Sequence, residues 1–203
     1  SCRFANWLHN GQPTGVQGAG TTETWAYTLT AEGMNNNTIA RNSNWQWAVT
    51  SEDEGYKAAY HKNNGVTGDY WNYPTSSDAA PGQDMADVSG NNANYYTHPY
   101  AYPIDSPYYT TVAGEFQNSD SPYGTFDQGG NVWEWNEAVL YGSFRGLRGG
   151  SFYGYGVDFL LAASRDRYYP TNEYGHFGLR VVEVPEPATV VLLALVSVGI
   201  IRR

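Results

Sequence analysis

The sequence predicts one α+β domain with a few short helices, a small antiparallel sheet and much irregular loop. Its composition, 23 Gly, 18 Tyr and 7 Trp among 203 residues with only 15% charged residues, is typical of a turn-rich globular domain with an aromatic core. Helix-length hydrophobic periodicity is confined to short stretches and disappears between residues 63 and 128. Short apolar runs of strand length follow only after that region.

Two helices are predicted in the first third of the chain. Near the start, apolar residues lie one helical turn apart and Gly11 follows as a stop signal. A second helix is predicted over 52–61, because Ser51 and Glu54 form a capping box ahead of an apolar face.

The later elements are loops and strands. Asn, Gly, Pro, Ser, Asp and Tyr dominate 63–128, which predicts long loops and turns that aromatic side chains hold in place. The strand candidates after them are NVWEW, LRGGSF and FGLRVVEV, at 131–135, 147–152 and 177–184.

Charge and side-chain inventory exclude several functions. The net charge is −9, so a nucleic-acid backbone would be repelled and no nucleic-acid partner is expected. Cys2 is the single cysteine and cannot form an internal disulfide. The histidines have no helical pairing that would indicate a metal cluster, and Ser151 lacks the motif of a nucleophile elbow. The four histidines are His9, His61, His98 and His176.

The chain ends in an apolar segment, 188–201, which is shorter than the roughly 20 residues of a comfortable transmembrane helix. Pro185, Glu186 and Pro187 precede it, and Arg202 and Arg203 follow it. A buried terminal helix is the alternative, but the segment has no polar face. The tail, 185–203, resembles the PEP-CTERM sorting signal of exported bacterial proteins. The resemblance implies export across the inner membrane to the cell envelope or the extracellular space, transient membrane insertion, and removal by an exosortase-type processing enzyme.

The other end carries no export signal. It opens SCRFANWLHNG, without an initiating Met, a basic segment or an apolar segment. An exported protein needs such a signal, so we expect the sequence to be an N-terminally truncated fragment.

Three motifs resemble, in order and spacing, the later part of the formylglycine-generating enzyme domain, also called the sulfatase-modifying factor domain. They are YGTFDQGGNVWEWNEA, RGLRGGSF and AASRDRYYPTNEYGHFGLRVVEV. Upstream, SCRFANWLHNG, TSEDEGYKAAY and NNANYY match it too. The resemblance covers about residues 1–184, with the start of the domain missing, and implies a C-type-lectin-like fold.

The oxidase chemistry of that family is not expected here. In formylglycine-generating members, two cysteines shortly after a Gly-Gly-Ser segment bind copper and drive oxidation of a substrate cysteine. The corresponding stretch, GGSFYGYGVDFLLAASRDR, has no cysteine, and its oxygen ligands are too hard to replace thiolates at copper(I). We therefore expect no copper and assign no catalytic residue. The alternative is a sulfatase-modifying or related metal-dependent oxidoreductase that uses another metal or another domain.

The resemblance implies structural calcium. Ca²⁺ takes six to eight hard oxygens from carboxylates and carbonyls, and tight Gly-rich turns bring such oxygens together. The first implied set of ligands is the Asp127 side chain, the carbonyls of Gly130 and Val132, and the Glu134 side chain. The second is the Asn94 side chain, the Tyr95 carbonyl, the Asp105 side chain and the Pro107 carbonyl. The alternative for both sets is turn formation by Asx side chains and solvated carboxylates. Trp133 and Trp135 would be core anchors of the first loop.

Two segments are rich in aromatic residues, YWNYP at 70–74 and YYTHPYAYP at 95–103. Exposed Tyr and Trp stack on sugars and serve at protein interfaces, so these loops predict a surface for a carbohydrate, protein or envelope ligand. The alternative is that these rings form the core.

The sequence departs from the family motifs at Gly55, whereas the LRGGSF motif is intact. Gly55 stands where the family usually has Trp, and loss of a buried Trp costs about 3–5 kcal/mol unless neighbours refill the space. Arg148 and Arg180 are predicted to be structural arginines that tie loops to the core.

Overall fold

The computed structural model describes residues 1–97, 104, 107–154 and 156–184. The predicted sorting tail, Asp105 and most of the segment 95–103 therefore lie outside the described residues. The helices are α1 (Cys2–His9), α2 (Ala31–Asn35) and α3 (Glu52–Tyr60), with a π-helical turn at Ala19–Glu23 and a 3-10 helix at Val157–Leu160. The strands are β1 (Trp47–Val49), β2 (Trp133–Leu140), β3 (Phe144–Arg148), β4 (Asp166–Tyr168), β5 (Phe177–Leu179) and β6 (Val181–Glu183). Short helices, small sheets and long loops make this an α+β fold, as predicted.

Both helices predicted from the sequence are present. Helix α1 ends just before Gly11, which has a left-handed φ of +76°. Helix α3 begins at a complete capping box: Ser51 Oγ accepts from Glu54 N at 3.1 Å, and Ser51 N donates to Glu54 Oε2 at 2.7 Å. The prediction for α3 is therefore confirmed, with its end one residue earlier than expected.

The main sheet is mixed, whereas the sequence predicted an antiparallel one. Its strand order is β4-β3-β2-β5, and the β2–β3 and β3–β4 pairs are antiparallel. Strand β5 pairs with β2 in parallel, which no local sequence pattern indicates. A second sheet joins β1 and β6 as an antiparallel pair.

All three predicted strands have different bounds. NVWEW at 131–135 corresponds to β2, which begins later and extends further, over Trp133–Leu140. FGLRVVEV is not one strand, because it breaks at Arg180 and supplies β5 to the main sheet and β6 to the small one. The Arg180 carbonyl between them accepts a hydrogen bond from Thr50 N at 3.2 Å. LRGGSF is also wrong as a strand, since β3 ends at Arg148 and the chain turns at the two glycines that follow.

Aromatic side chains hold the long loops together. In the described part of 63–128 there is no helix or strand, only turns and isolated bridges, as predicted. Tyr73, Ala93, Tyr95 and Leu160 form a buried cluster beneath these loops. Trp133 is buried and meets Phe159 edge-on at 5.5 Å between ring centroids, which confirms it as a core anchor. Trp135 is only half-buried and meets Phe177 edge-on at 5.2 Å.

Arg148 ties helix α3 to a loop, as predicted. Its Nε donates to Glu52 Oε1 at 2.6 Å, and its Nη1 donates to the carbonyls of Ala162 and Ser164 at 2.9 and 2.8 Å. A cavity of about 20 Å³ lies beside Gly55 and is lined partly by Thr50, Glu52 and Arg148. That volume holds about one water molecule, so a small void remains where the family usually has a Trp side chain.

Candidate functional site

The first predicted calcium loop is a tight turn at the start of β2. Asp127 has a φ of +54°, and its Oδ2 accepts a hydrogen bond from Gly114 N at 2.7 Å. Gly130 has a φ of +85° and packs so closely on Asn94 that an added Cβ would overlap the Asn94 carbonyl oxygen. Only glycine fits both the left-handed backbone and this close approach.

The oxygens of the two predicted carbonyl ligands of this loop could coordinate a cation. Among the hydrogen bonds of the described residues, none ends on the carbonyl oxygen of Gly130 or of Val132. Backbone carbonyl oxygens in a tight turn are hard ligands of the kind that calcium binds. These atoms and Asp127 Oδ1 fit the hard-oxygen chemistry of calcium.

Glu134, the remaining predicted ligand, already has a cationic partner. Arg180 Nε donates to Glu134 Oε2 at 3.1 Å, and Arg180 Nη2 donates to Oε1 at 2.6 Å. Burial raises the pKa of the Glu134 carboxyl, and the nearby guanidinium opposes that increase. Arg180 Nη2 also donates to the carbonyls of Phe126 and Asp127 at 3.1 and 3.0 Å, so it ties the loop to β2 as predicted. A calcium ion here would share Glu134 with Arg180.

Asn94, the first predicted residue of the second set, carries an unsatisfied oxygen. The side chain is buried, with the residue 1% exposed. Its Nδ2 donates to Tyr109 O and to Asn131 Oδ1, both at 2.8 Å, which determines the orientation of the amide. Asn94 Oδ1 then has no hydrogen-bond partner in the described structure. A buried oxygen left unpaired costs about 1–3 kcal/mol, and a cation would remove that cost.

The structure describes the other members of the second set only in part. The Tyr95 carbonyl accepts a hydrogen bond from Gln83 Nε2, and the Tyr95 ring lies in the core. Asp105 lies outside the described residues, and Pro107 is exposed in a turn. That turn leads directly to Tyr109, whose carbonyl contacts Asn94.

Asn131 is a residue that the sequence reasoning missed. Its N donates to Asn94 O at 2.7 Å, and its Oδ1 accepts from Thr111 N and Thr111 Oγ1, both at 3.0 Å. It therefore joins the two candidate calcium loops to the 107–111 turn. The available sequence signal was an Asn inside the GGNVWE motif, because Asn tolerates a left-handed backbone. The φ of Asn131 is +55°.

The described ranges contain no cluster of His, Cys, Asp or Glu side chains of the kind that holds a metal ion. No group of three or more His, Cys, Asp or Glu side chains is placed to hold a metal ion there. Cys2 stands alone near the start of α1, and burial raises the pKa of its thiol. Within the same ranges, no helix has both the length and the apolar character needed to cross a membrane.

The stretch after Gly150 is built from aromatic rings. Phe152 stacks on Tyr109, with centroids 5.7 Å apart and ring planes 5° apart. Tyr153 and Tyr174 lie on either side of His176, at centroid distances of 5.1 and 5.4 Å. This end of the main sheet therefore presents rings rather than thiols.

In the described parts of the two loops predicted to present rings, the aromatic side chains contribute mostly to packing. Tyr73 and Tyr95 are core residues, and Lys62 lies over the Trp71 ring at 4.4 Å. Tyr70 packs against Tyr56 at 4.9 Å between centroids. The buried rings form part of the core beneath these loops, together with Ala93 and Leu160.

A family model described as the sulfatase-modifying factor enzyme 1-like domain matches residues 2–185. The chain belongs to this family. The match spans nearly all of the domain expected over 1–184 and agrees with the motifs from which the resemblance was recognised. A search among curated proteins found no significant match.

This sulfatase-modifying factor domain has a fold similar to that of one solved structure, CarF. The crystal structure of CarF is similar with a TM-score of 0.53 and 22% identity, over 77% of this chain and 55% of that chain. Treponema denticola variable protein 1 gives a TM-score of 0.49 and 21% identity, over 75% of this chain and 52% of its own. PvdO from Pseudomonas aeruginosa gives 0.45 and 18%, over 66% and 51%. The chain spans about half the length of these structures.

Proposed function

We propose that this sulfatase-modifying factor domain is an exported non-oxidase member of its family, stabilised by calcium, whose loop surface binds a ligand or partner. One observation carries the proposal. Aromatic rings follow Gly149, Gly150 and Ser151, where the oxidase members have two copper-binding cysteines. Cys2, the single cysteine of the chain, cannot supply a pair of thiolates.

Calcium is the metal that the donor set favours. Asp127, the carbonyls of Gly130 and Val132, and Glu134 would hold one ion, with Glu134 shared with Arg180. Asn94 would place its unpartnered Oδ1 on a second ion. Bound calcium supplies positive charge that draws hard oxygens together and so stabilises loops without regular secondary structure.

The route and the partners follow from the tail. A PEP-CTERM signal at 185–203 would insert transiently in the inner membrane, and an exosortase-type enzyme would then process it. The domain would work in the cell envelope or outside the cell. Its ligand there is a carbohydrate, a protein or an envelope polymer, the classes that exposed aromatic side chains recognise.

Family membership favours a second candidate, a sulfatase-modifying or related metal-dependent oxidoreductase. That function needs a redox metal held by residues other than a cysteine pair. Fold alone does not separate the two candidates, because one fold hosts many functions.

Elemental analysis of the purified full chain distinguishes them. Plasma mass spectrometry before and after dialysis against a chelator should find about one or two calcium ions per chain, removed by the chelator, and no copper or iron. Stoichiometric copper or iron would instead support the oxidoreductase. A chain that contains no calcium and gains no thermal stability when calcium is added would contradict the calcium part of the proposal.

A further inference from the structure

Three neighbouring rings, called the stack below, lie at the surface after the Gly-Gly turn: Tyr174 stacks on His176, and Tyr153 is tilted against His176. The His176 ring lies 5.1 Å from Tyr153 and 5.4 Å from Tyr174 between centroids, with ring planes 32° and 14° apart. Tyr153 is 58% exposed and Tyr174 is 47% exposed, while His176 is half-buried between them. The two outer tyrosines thus present ring surface to solvent, whereas Tyr73 and Tyr95 of the predicted loops are buried.

Neighbouring aromatic rings and backbone hydrogen bonds hold the stack in place. Phe177 meets Tyr174 and His176 edge-on at 5.1 and 4.8 Å, and Phe152 meets His176 edge-on at 6.5 Å. The His176 carbonyl accepts from the amide of buried Trp133 at 2.8 Å. On the other side, Tyr153 N donates to Ser151 Oγ at 3.1 Å. Rings fixed in this way lose little conformational entropy when a ligand binds.

The stack also has unused hydrogen-bonding capacity. No hydrogen bond of the described residues reaches the Tyr153 hydroxyl or the imidazole nitrogens of His176. Burial lowers the pKa of His176, so at neutral pH the ring is uncharged and offers one donor and one acceptor. The Tyr174 hydroxyl accepts only a long bond, 3.4 Å, from Asn172 Nδ2.

We propose that Tyr153, His176 and Tyr174 form a stacking site for a neutral carbohydrate chain. The inference rests on the ligand-binding surface of the proposed function and names its place and its ligand class. The apolar C–H face of a pyranose ring packs on the negative face of an aromatic ring, and its hydroxyls meet polar groups at the edge. A surface that combines tyrosine faces with free hydroxyl and imidazole groups suits both parts of a sugar.

Charge favours a neutral chain over an anionic one. The net charge is −9, and Glu173 precedes one of the stacked tyrosines. The cation–π contacts of the described residues all involve other rings. Carboxylated or phosphorylated polymers would be repelled by this net charge.

Size favours a sugar over a protein partner. Two half-exposed tyrosines and part of a histidine offer about 200–300 Å² of aromatic surface. A stable protein interface needs about 800 Å² on each side. One or two sugar rings, in contrast, cover only about 200–300 Å². This area is therefore too small to be a complete protein interface.

The test is isothermal titration of the full chain with neutral hexasaccharides: cellohexaose, chitohexaose, mannohexaose and maltohexaose. Hexagalacturonic acid is the anionic comparison. At least one neutral chain should bind saturably, and Tyr153→Ala and Tyr174→Ala should each raise its Kd by roughly tenfold or more. Tyr153→Phe should retain most of the affinity, because it keeps the ring face. Tyr141→Ala is the matched control, since Tyr141 is 81% exposed at the far β2–β3 turn.

Three results would overturn the proposal. They are no saturable binding of any neutral hexasaccharide at millimolar concentration, unchanged affinity in both alanine variants with unchanged thermal midpoints, and tighter binding of hexagalacturonic acid than of the neutral chains. If the titration finds no binding but calcium is bound and a protein or another polymer is captured, the proposed function is still supported. Stoichiometric copper or iron would contradict the proposed function, whatever the titration shows.

Discussion

At the residue scale, Asn94 is the point where the two candidate calcium loops meet. Its backbone carbonyl accepts from Asn131, and Gly130 of the first loop lies against it. Its own side-chain oxygen is buried and unpaired. Stability and metal binding at this point therefore depend on the same few atoms.

Gly130→Ala should destabilise the protein by about 3 kcal/mol or more, because a left-handed φ and a backbone overlap act together. Gly124→Ala is the matched control, since Gly124 has a φ of +71° but nothing within 4 Å of an added Cβ. The control should lose only about 1 kcal/mol. Urea unfolding of both variants measures the difference, and equal losses would show that the approach to Asn94 has no energetic weight.

At the element scale, the capping box of α3 is coupled to a buried arginine. Arg41 Nη1 and Nη2 donate to the two carboxylate oxygens of Glu54 at 2.9 and 2.8 Å. Arg41 also pairs with Glu137 of β2, with Nη2 2.8 Å from Oε2. The start of the helix is thereby joined to the main sheet, which a local capping signal does not reveal.

Glu54→Gln should cost about 1 kcal/mol or more at pH 7, since Gln retains the capping-box acceptor but loses the charge and one of the two oxygens that accept from Arg41. The Arg41 guanidinium holds the pKa of the Glu54 carboxyl below its ordinary value of 4.5. A lowered carboxyl pKa contributes stability above the ordinary value, and that contribution is lost as the pH falls through the folded value. The difference between variant and wild type should therefore shrink between pH 7 and about pH 4.

Urea unfolding at the two pH values measures this effect. Asp53→Asn is the control, because Asp53 is exposed in the same first turn. It should change stability by only a few tenths of a kcal/mol. A cost of Glu54→Gln that grows as the pH falls would contradict the role given to Arg41.

At the scale of the whole molecule, calcium would compensate for the scarcity of regular structure. At free calcium about 100 times the Kd, the chelated full chain should gain about 2.7 kcal/mol of stability, seen as a higher thermal midpoint. A gain of this size is expected for each ion bound, and Asn94→Ala should remove the share of the second ion, because the first set of ligands is unchanged. Asn92→Ala is the control, since Asn92 is also buried but both ends of its amide are hydrogen-bonded. The control should be destabilised yet keep its calcium response, and equal responses in both variants would contradict a ligand role for Asn94.

Long-range pairing is the part of the fold that local patterns could not predict. The β2–β5 parallel pair joins residues more than forty positions apart, and its register runs from Trp133–Phe177 to Trp135–Leu179. The break at Arg180 likewise depends on Glu134 and the 126–127 carbonyls, which the chain meets only when folded. A hydrophobic alternation cannot show which sheet a strand will join.

The sequence by itself determined the α+β class, the capping box of α3, the family motifs and the absence of a cysteine pair. These features are local, since each depends on neighbouring residues or on side-chain chemistry. Only the tertiary structure decided that Tyr73 and Tyr95 are buried while Tyr153 and Tyr174 are exposed. It alone joined Asn94 to Asn131 and left one oxygen unpaired. In a fold made mostly of loops, exposure and pairing are set by which distant segments pack together, because few regular elements determine them locally.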